Sequence, residues 1–157
     1  MNNSEIKERI LQEMAELNKI VEKNEQFLQQ IQLEEARPYQ DAIVSALALN
    51  IHSFYTGAER IFELISTKID YRMPTGYDWH RQLLDQMSVS IPEVRAAVIS
   101  EETKQCLEEF RRFRHVVRSI YAYQLETSRV MELARSVLTC NQHFTSEVRQ
   151  FCRSIGA

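Results

Sequence analysis

One segment leaves this chain little choice of fold. Ile43, Leu47, Ile51, Phe54, Ala58, Ile61, Ile65 and Ile69 follow one another at steps of three and four residues, which is the repeat of one face of a helix. A half-buried strand would alternate at steps of two. Gly57 lies inside this run. A helix-interior glycine costs about 1 kcal/mol relative to alanine, so Gly57 is predicted to mark the close approach of another helix.

The rest of the sequence repeats the pattern. Ile6, Ile10, Met14, Leu17, Val21, Leu28 and Ile31, with Ile20 and Phe27 widening the stripe, predict a first long helix. Its stripe is wide enough to face a core rather than a coiled-coil seam. Ser4 is the expected cap at its start and Pro38 the expected stop at its end. The second helix is expected from about Tyr39. Pro74 and Gly76 mark a loop from Asp70 to Asp78, followed by a short helix through Trp79, Leu83, Leu84 and Met87. Pro92 fits a first helical position. Leu107, Phe110, Phe113, Val117 and Ile120 predict a third long helix from about Glu101. After a break near Tyr121 to Glu126, a last helix carries Val130, Leu133, Val137, Asn141, Phe144, Val148 and Phe151. Three glycines and three prolines in 157 residues leave few corners for a strand-rich fold. The expectation is all-α: an up-and-down bundle of four long helices plus one short helix, a single domain over residues 1–157.

Composition narrows the function classes. No apolar run approaches the roughly 20 residues of a membrane span, and the start of the chain has no apolar signal core. A soluble cytoplasmic protein is expected. Cys106, Cys140 and Cys152 are odd in number and contain no CxxC pair, so three reduced, mostly buried thiols are predicted rather than a disulfide or a zinc site. No His, Cys or carboxylate pair has ligand spacing, and neither metal nor cofactor is expected. The net charge is −3. Residues 1–36 hold eight Glu against four Lys or Arg, while Arg111 to Arg118 holds four Arg and no acid. The global charge does not suggest a nucleic-acid binder, but that segment permits a local phosphate site.

Arg114, Arg118 and Tyr121 stand at i, i+4 and i+7 on one helical face. Forked guanidinium donors of fixed charge match the oxygens of a phosphodiester. The competing reading is a solvated basic face making ordinary ion pairs with glutamates. His115, four residues from Ser119, borders the same face, with packing or solvation favoured over a catalytic role. His80 is expected to fix the short helix. His52 and His143 have no companions in the sequence.

The window Phe110 to Leu125 resembles the Arg-x4-His-x-Tyr signature of HEPN domains, specifically the HepT-like toxins paired with a minimal nucleotidyltransferase (MNT) antitoxin. Ser53 to Ile65 and Asp78 to Met87 resemble two further stretches of the same family, in the same order. The resemblance implies a toxin acting as a metal-independent endoribonuclease on RNA, tRNA included, at a cleft shared by two subunits of a homodimer or higher oligomer. Carried over residue by residue, Arg114 is the signature arginine, Tyr121 the signature tyrosine, and Ser119 stands at the histidine position. With Arg118 and Arg111 from the basic segment, Arg114 makes up the expected phosphate contacts. The resemblance also implies that Tyr121 is where the partner nucleotidyltransferase attaches adenylate. Ser119 is a departure from the signature, since a serine hydroxyl cannot exchange a proton at neutral pH without a base beside it. The chain is therefore expected to bind RNA and cleave it weakly or not at all. The alternative is a non-catalytic helical partner of the nucleotidyltransferase.

Overall fold

The computed structural model describes residues 1–156. It contains α1 (Asn3–Gln30), a 3-10 segment (Glu34–Tyr39), α2 (Gln40–Lys68), α3 (Trp79–Met87), α4 (Glu101–Ser119), a short 3-10 turn (Ala122–Gln124) and α5 (Thr127–Ser154). Four long helices and one short helix are thus present, as the periodicity predicts. The described residues include no strand, only an isolated bridge between Ile91 and Arg95.

The isoleucine-rich helix α2 is the hub, packed against α1, α3, α4 and α5. Its Leu47, Ile51, Phe54, Ala58, Ile61 and Ile65 are all fully buried, in an apolar cluster that draws on all five helices. Edge-to-face aromatic pairs link α2 to its neighbours, Phe54 with Phe110 of α4 at 5.4 Å and Phe62 with Phe144 of α5 at 5.6 Å. Gly57 is where α1 comes closest. A Cβ added there would stand 2.5 Å from a methyl carbon of Leu17, itself fully buried, so even alanine would force the Leu17 side chain to repack.

The structure corrects the sequence reading in four places. The first helix is capped by Asn2, not Ser4. The Asn2 side chain accepts from the Glu5 amide at 2.9 Å, and Glu5 accepts from the Asn2 amide at 3.2 Å. This reciprocal pair satisfies two otherwise orphaned donors. Pro38 lies within the 3-10 segment rather than directly ending α1. Pro92 starts no helix. The stretch between α3 and α4 is irregular, held by the buried Arg95 guanidinium against Asp70 at 2.7 Å.

The fourth correction concerns the thiols. Cys106 and Cys140 form a disulfide between α4 and α5 with Cα atoms 6.3 Å apart; only Cys152 is free and buried. Sequence spacing could not show this, because the two residues lie 34 positions apart on separate helices and meet only through the bundle. Closing a loop of that length in the unfolded chain stabilises the fold by roughly 3–4 kcal/mol.

Candidate functional site: a basic pocket on the fourth helix

Helix α4 is amphipathic. Leu107, Phe110 and Phe113 point into the core, and Arg111, Arg114, His115 and Arg118 flank that stripe. Ser100 caps the helix by accepting from the Thr103 amide at 3.2 Å. Glu147 of α5 then accepts from the Ser100 amide and the Thr103 hydroxyl, fixing the rotation of α4 about its axis. The helix ends at Ser119, where Ile120 turns to extended backbone at φ −128° and ψ 163°. Arg118 in the last turn complements the negative end of the helix dipole.

A cavity of about 380 Å³ opens on this face, lined by Tyr77, Asp78, His80, Arg111, Arg114, His115, Arg118 and Ser119. Small-ligand clefts run from roughly 300 to 1,000 Å³. A cleft of about 370 Å³ between α1 and α2 instead balances Arg9 and Arg60 against Glu13 and Glu63.

The arginines of α4 divide into two groups. Arg111 donates to Glu108 at 2.9 Å, and Arg112 pairs with Glu108 at 3.3 Å and Glu109 at 4.0 Å. Arg111 therefore lines the pocket with its fork already engaged, and Glu108 is held below the usual carboxylate range by the Arg111 and Arg112 guanidiniums despite burial pushing the other way. For these two the ordinary ion-pair reading holds. Among the described residues, Arg114 and Arg118 have no carboxylate within ion-pair distance. Arg114 is half-buried, and its Nε is sequestered without any hydrogen-bond partner.

Ser119 is exposed on the pocket rim, and its hydroxyl donates back to the Val116 carbonyl at 3.1 Å. No hydrogen bond joins it to a basic side chain among the described residues. Tyr121 does not line the pocket, although the spacing puts it on the arginine face. The helix stops two residues before it, and its ring, 71% exposed, stacks parallel on Tyr123 at 5.8 Å. Its amide donates to Gln124 Oε1 at 2.8 Å.

Three residues gain a place that the sequence reading did not give them. His80 lines the pocket while its Nδ1 lies 2.8 Å from Oε2 of Glu59, and its ring stacks on Trp79. It fixes α3, as expected, but does so against α2 and beside the arginines. Glu59 is 5% exposed. His52, which the sequence leaves without companions, lies close enough to Arg114 and Arg118 for both to act on it. Burial first, and then those two positive charges, hold its pKa below the usual histidine value. The available signal was that His52, Glu59 and Glu63 punctuate a helix whose other positions are mostly apolar.

These observations define a class: an all-helical bundle with an unneutralised arginine pair in a pocket at the end of its fourth helix. The family is specific. The family model for HepT-like protein matches residues 46–155, covering α3, α4, α5 and most of α2, and this chain belongs to that family. No curated protein and no solved structure matches it. Membership gives the chain a toxin-like function of the HEPN kind in general terms. No helix among the described residues is long and apolar enough to cross a membrane.

Proposed function

We propose that this chain is the toxin member of a toxin–antitoxin pair, an RNA-binding protein with the layout of a metal-independent endoribonuclease and with cleavage weakened at Ser119. The observation that carries the reading is the split among neighbouring arginines on one helix. Arg111 and Arg112 are paired with glutamates, while Arg114 and Arg118 face the same pocket without carboxylate partners. Glu63 acts on Arg114 only at a distance, and a half-buried guanidinium with no contacting carboxylate favours an anion at the site. RNA, tRNA included, supplies phosphates that match the forks. A second copy of the chain facing the first would double the arginine pair and widen the groove to strand dimensions. Tyr121, exposed beside this face, is accessible to adenylate transfer by an MNT-type nucleotidyltransferase, and the added phosphate would compete for Arg114 and Arg118.

The non-catalytic alternative, a helical partner that docks the nucleotidyltransferase without cutting RNA, draws on one observation. The Ser119 hydroxyl is turned toward its own helix rather than toward a base.

Fluorescence anisotropy with a single-stranded RNA oligonucleotide tests the reading. Arg114→Ala and Arg118→Ala are each expected to weaken binding roughly 10- to 100-fold, the loss of a charge-assisted contact, and to lower the salt slope by about one. Arg112→Ala should change little. Equal affinities across all three variants would remove the site.

His52 supplies an internal reporter. Its pKa lies below its ordinary value in the folded chain, so its protonation opposes folding, and this penalty grows as pH falls from the unfolded value of about 6.5 through the folded one. Burial, the larger cause, remains, but a phosphate that neutralises Arg114 and Arg118 relieves the part of the penalty that comes from those two charges. Addition of inorganic phosphate is therefore expected to move the His52 NMR titration upward, and anion affinity is expected to rise as pH falls. A His52 titration that ignores saturating phosphate would place the anion elsewhere.

A further inference from the structure

Ser119 leaves the pocket without an imidazole at the signature position, but the pocket still contains an imidazole in a suitable setting. His80 lines it from α3, opposite the α4 arginines. Its Nδ1 is held at 2.8 Å by Oε2 of Glu59, whose side chain is 6% exposed. A buried carboxylate on one ring nitrogen fixes the tautomer, placing the proton on Nδ1 and leaving Nε2 as the acceptor. Among the described residues Nε2 has no hydrogen-bond partner, and the ring is braced by stacking on Trp79 at 3.7 Å. An imidazole oriented by a carboxylate, with its second nitrogen free in a cleft, has the geometry of a general base.

We infer that His80, positioned by Glu59, is the general base for RNA cleavage at this pocket. The inference rests on the ribonuclease reading above and assigns that site its proton acceptor. Nε2 of His80 takes the proton from a ribose 2′-hydroxyl. The 2′-oxygen then forms a bond to phosphorus while the bond from phosphorus to the 5′-oxygen breaks, and the departing oxygen takes a proton from water. His80 returns its proton to solvent. The products are a 2′,3′-cyclic phosphate and a free 5′-hydroxyl, with no net consumption of water. Arg114 and Arg118 hold the charge that builds on the phosphate oxygens. Leaving-group protonation is the step that lacks a side chain, so the reaction is slow and depends on His80.

The charge environment of His80 is mixed. Glu59 and Glu63 approach it from α2, and the neighbouring Asp78 and Arg81 form a pair on its own segment at 3.2 Å. Tyr77 and Asp78 from the preceding loop and Arg111, Arg114, His115 and Arg118 from α4 line the cavity with it. The acidic limb of the pH–rate profile identifies the base in this setting.

The test uses the full chain and a pair of oligonucleotides, an RNA to report cleavage and its uncleavable 2′-deoxy counterpart to report binding. His80→Gln is expected to bind the deoxy strand within about threefold of wild type, to cleave RNA on the order of 10²-fold more slowly, and to lose the acidic limb. Glu59→Gln keeps the volume and an acceptor but removes the carboxylate that orients the ring, so the cleavage rate at saturating RNA should fall while binding of the deoxy strand holds. Circular-dichroism melting establishes that both variants are folded. Wild type that binds the deoxy strand but leaves RNA intact, or a folded His80→Gln variant that cleaves at the wild-type rate, overturns the assignment. Absence of binding by wild type itself removes the ribonuclease reading, and the assignment of His80 falls with it.

Discussion

Replacing Arg95 by alanine is expected to lower the unfolding free energy by roughly 3–5 kcal/mol, the range for breaking a buried ion pair from one side. The pair is nearly sealed from solvent, at 1% exposure for the Arg95 side chain and 0% for that of Asp70. Arg95 Nε and Nη2 donate to the two oxygens of Asp70, each at 2.7 Å. Its remaining donors reach the carbonyls of Val89, Ala96 and Gln86. Truncation leaves the Asp70 carboxylate buried with Gln86 Nε2, at 2.7 Å, as its remaining side-chain donor. At roughly 2–4 °C per kcal/mol for a chain of this size, the melting temperature should fall by about 6–20 °C. Calorimetry or urea titration reads the effect. Removing both charges together, as Arg95→Met with Asp70→Leu, should recover much of the loss, because the double change leaves no unpaired ion behind. A single variant that melts within about 2 °C of wild type would mean that water already reaches the pair.

That ion pair also explains what the sequence hid. Periodicity exposes helices because each must bury a stripe, and the apolar steps of α2, α4 and α5 follow their buried residues closely. The segment from Ser88 to Ser100 buries Val98 and Ile99 without a repeat and is held by a salt bridge, and a charged residue 25 positions from its partner carries no local signal. Pro92 therefore read as a helix start when the chain was being routed around Arg95. The disulfide and the contact of His80 with Glu59 belong to the same category, as each joins residues on different helices. The arginine face was legible because its members share one helix. Part of the pairing was legible too, since Glu108 stands three and four residues before Arg111 and Arg112, and Glu109 three before Arg112, but both stand five or more before Arg114 and Arg118. What the spacing does not show is that, among the described residues, no carboxylate from another helix reaches those two. The place of Tyr121 differs for another reason: helical spacing puts it on the arginine face only if α4 continues, and the helix ends at Ser119.

Restoring an imidazole at that helix end should have the largest effect on activity. Ser119→His is expected to raise RNA cleavage by about 10²- to 10⁴-fold, the usual worth of a general acid–base group, with little change in affinity for a 2′-deoxy strand. Position 119 lies one residue beyond Arg118 and on the rim of the same pocket, close to where a strand held by Arg114 and Arg118 would present its leaving oxygen. Serine offers no proton with a suitable pKa there, and its hydroxyl is spent on the Val116 carbonyl. An imidazole near pKa 6.5 gives up a proton readily at neutral pH. With His80 accepting the proton and position 119 donating one, the pH–rate profile should change from a single acidic limb to a bell. Combining Ser119→His with His80→Gln separates the two roles. Cleavage in the double variant should drop well below that of Ser119→His alone and lose the acidic limb while keeping the basic one. A Ser119→His protein that binds the deoxy strand as wild type does, yet cleaves RNA no faster, would show that the leaving oxygen is not presented to the end of α4. If that protein and wild type both leave RNA intact while binding the deoxy strand, the non-catalytic reading is the one to keep.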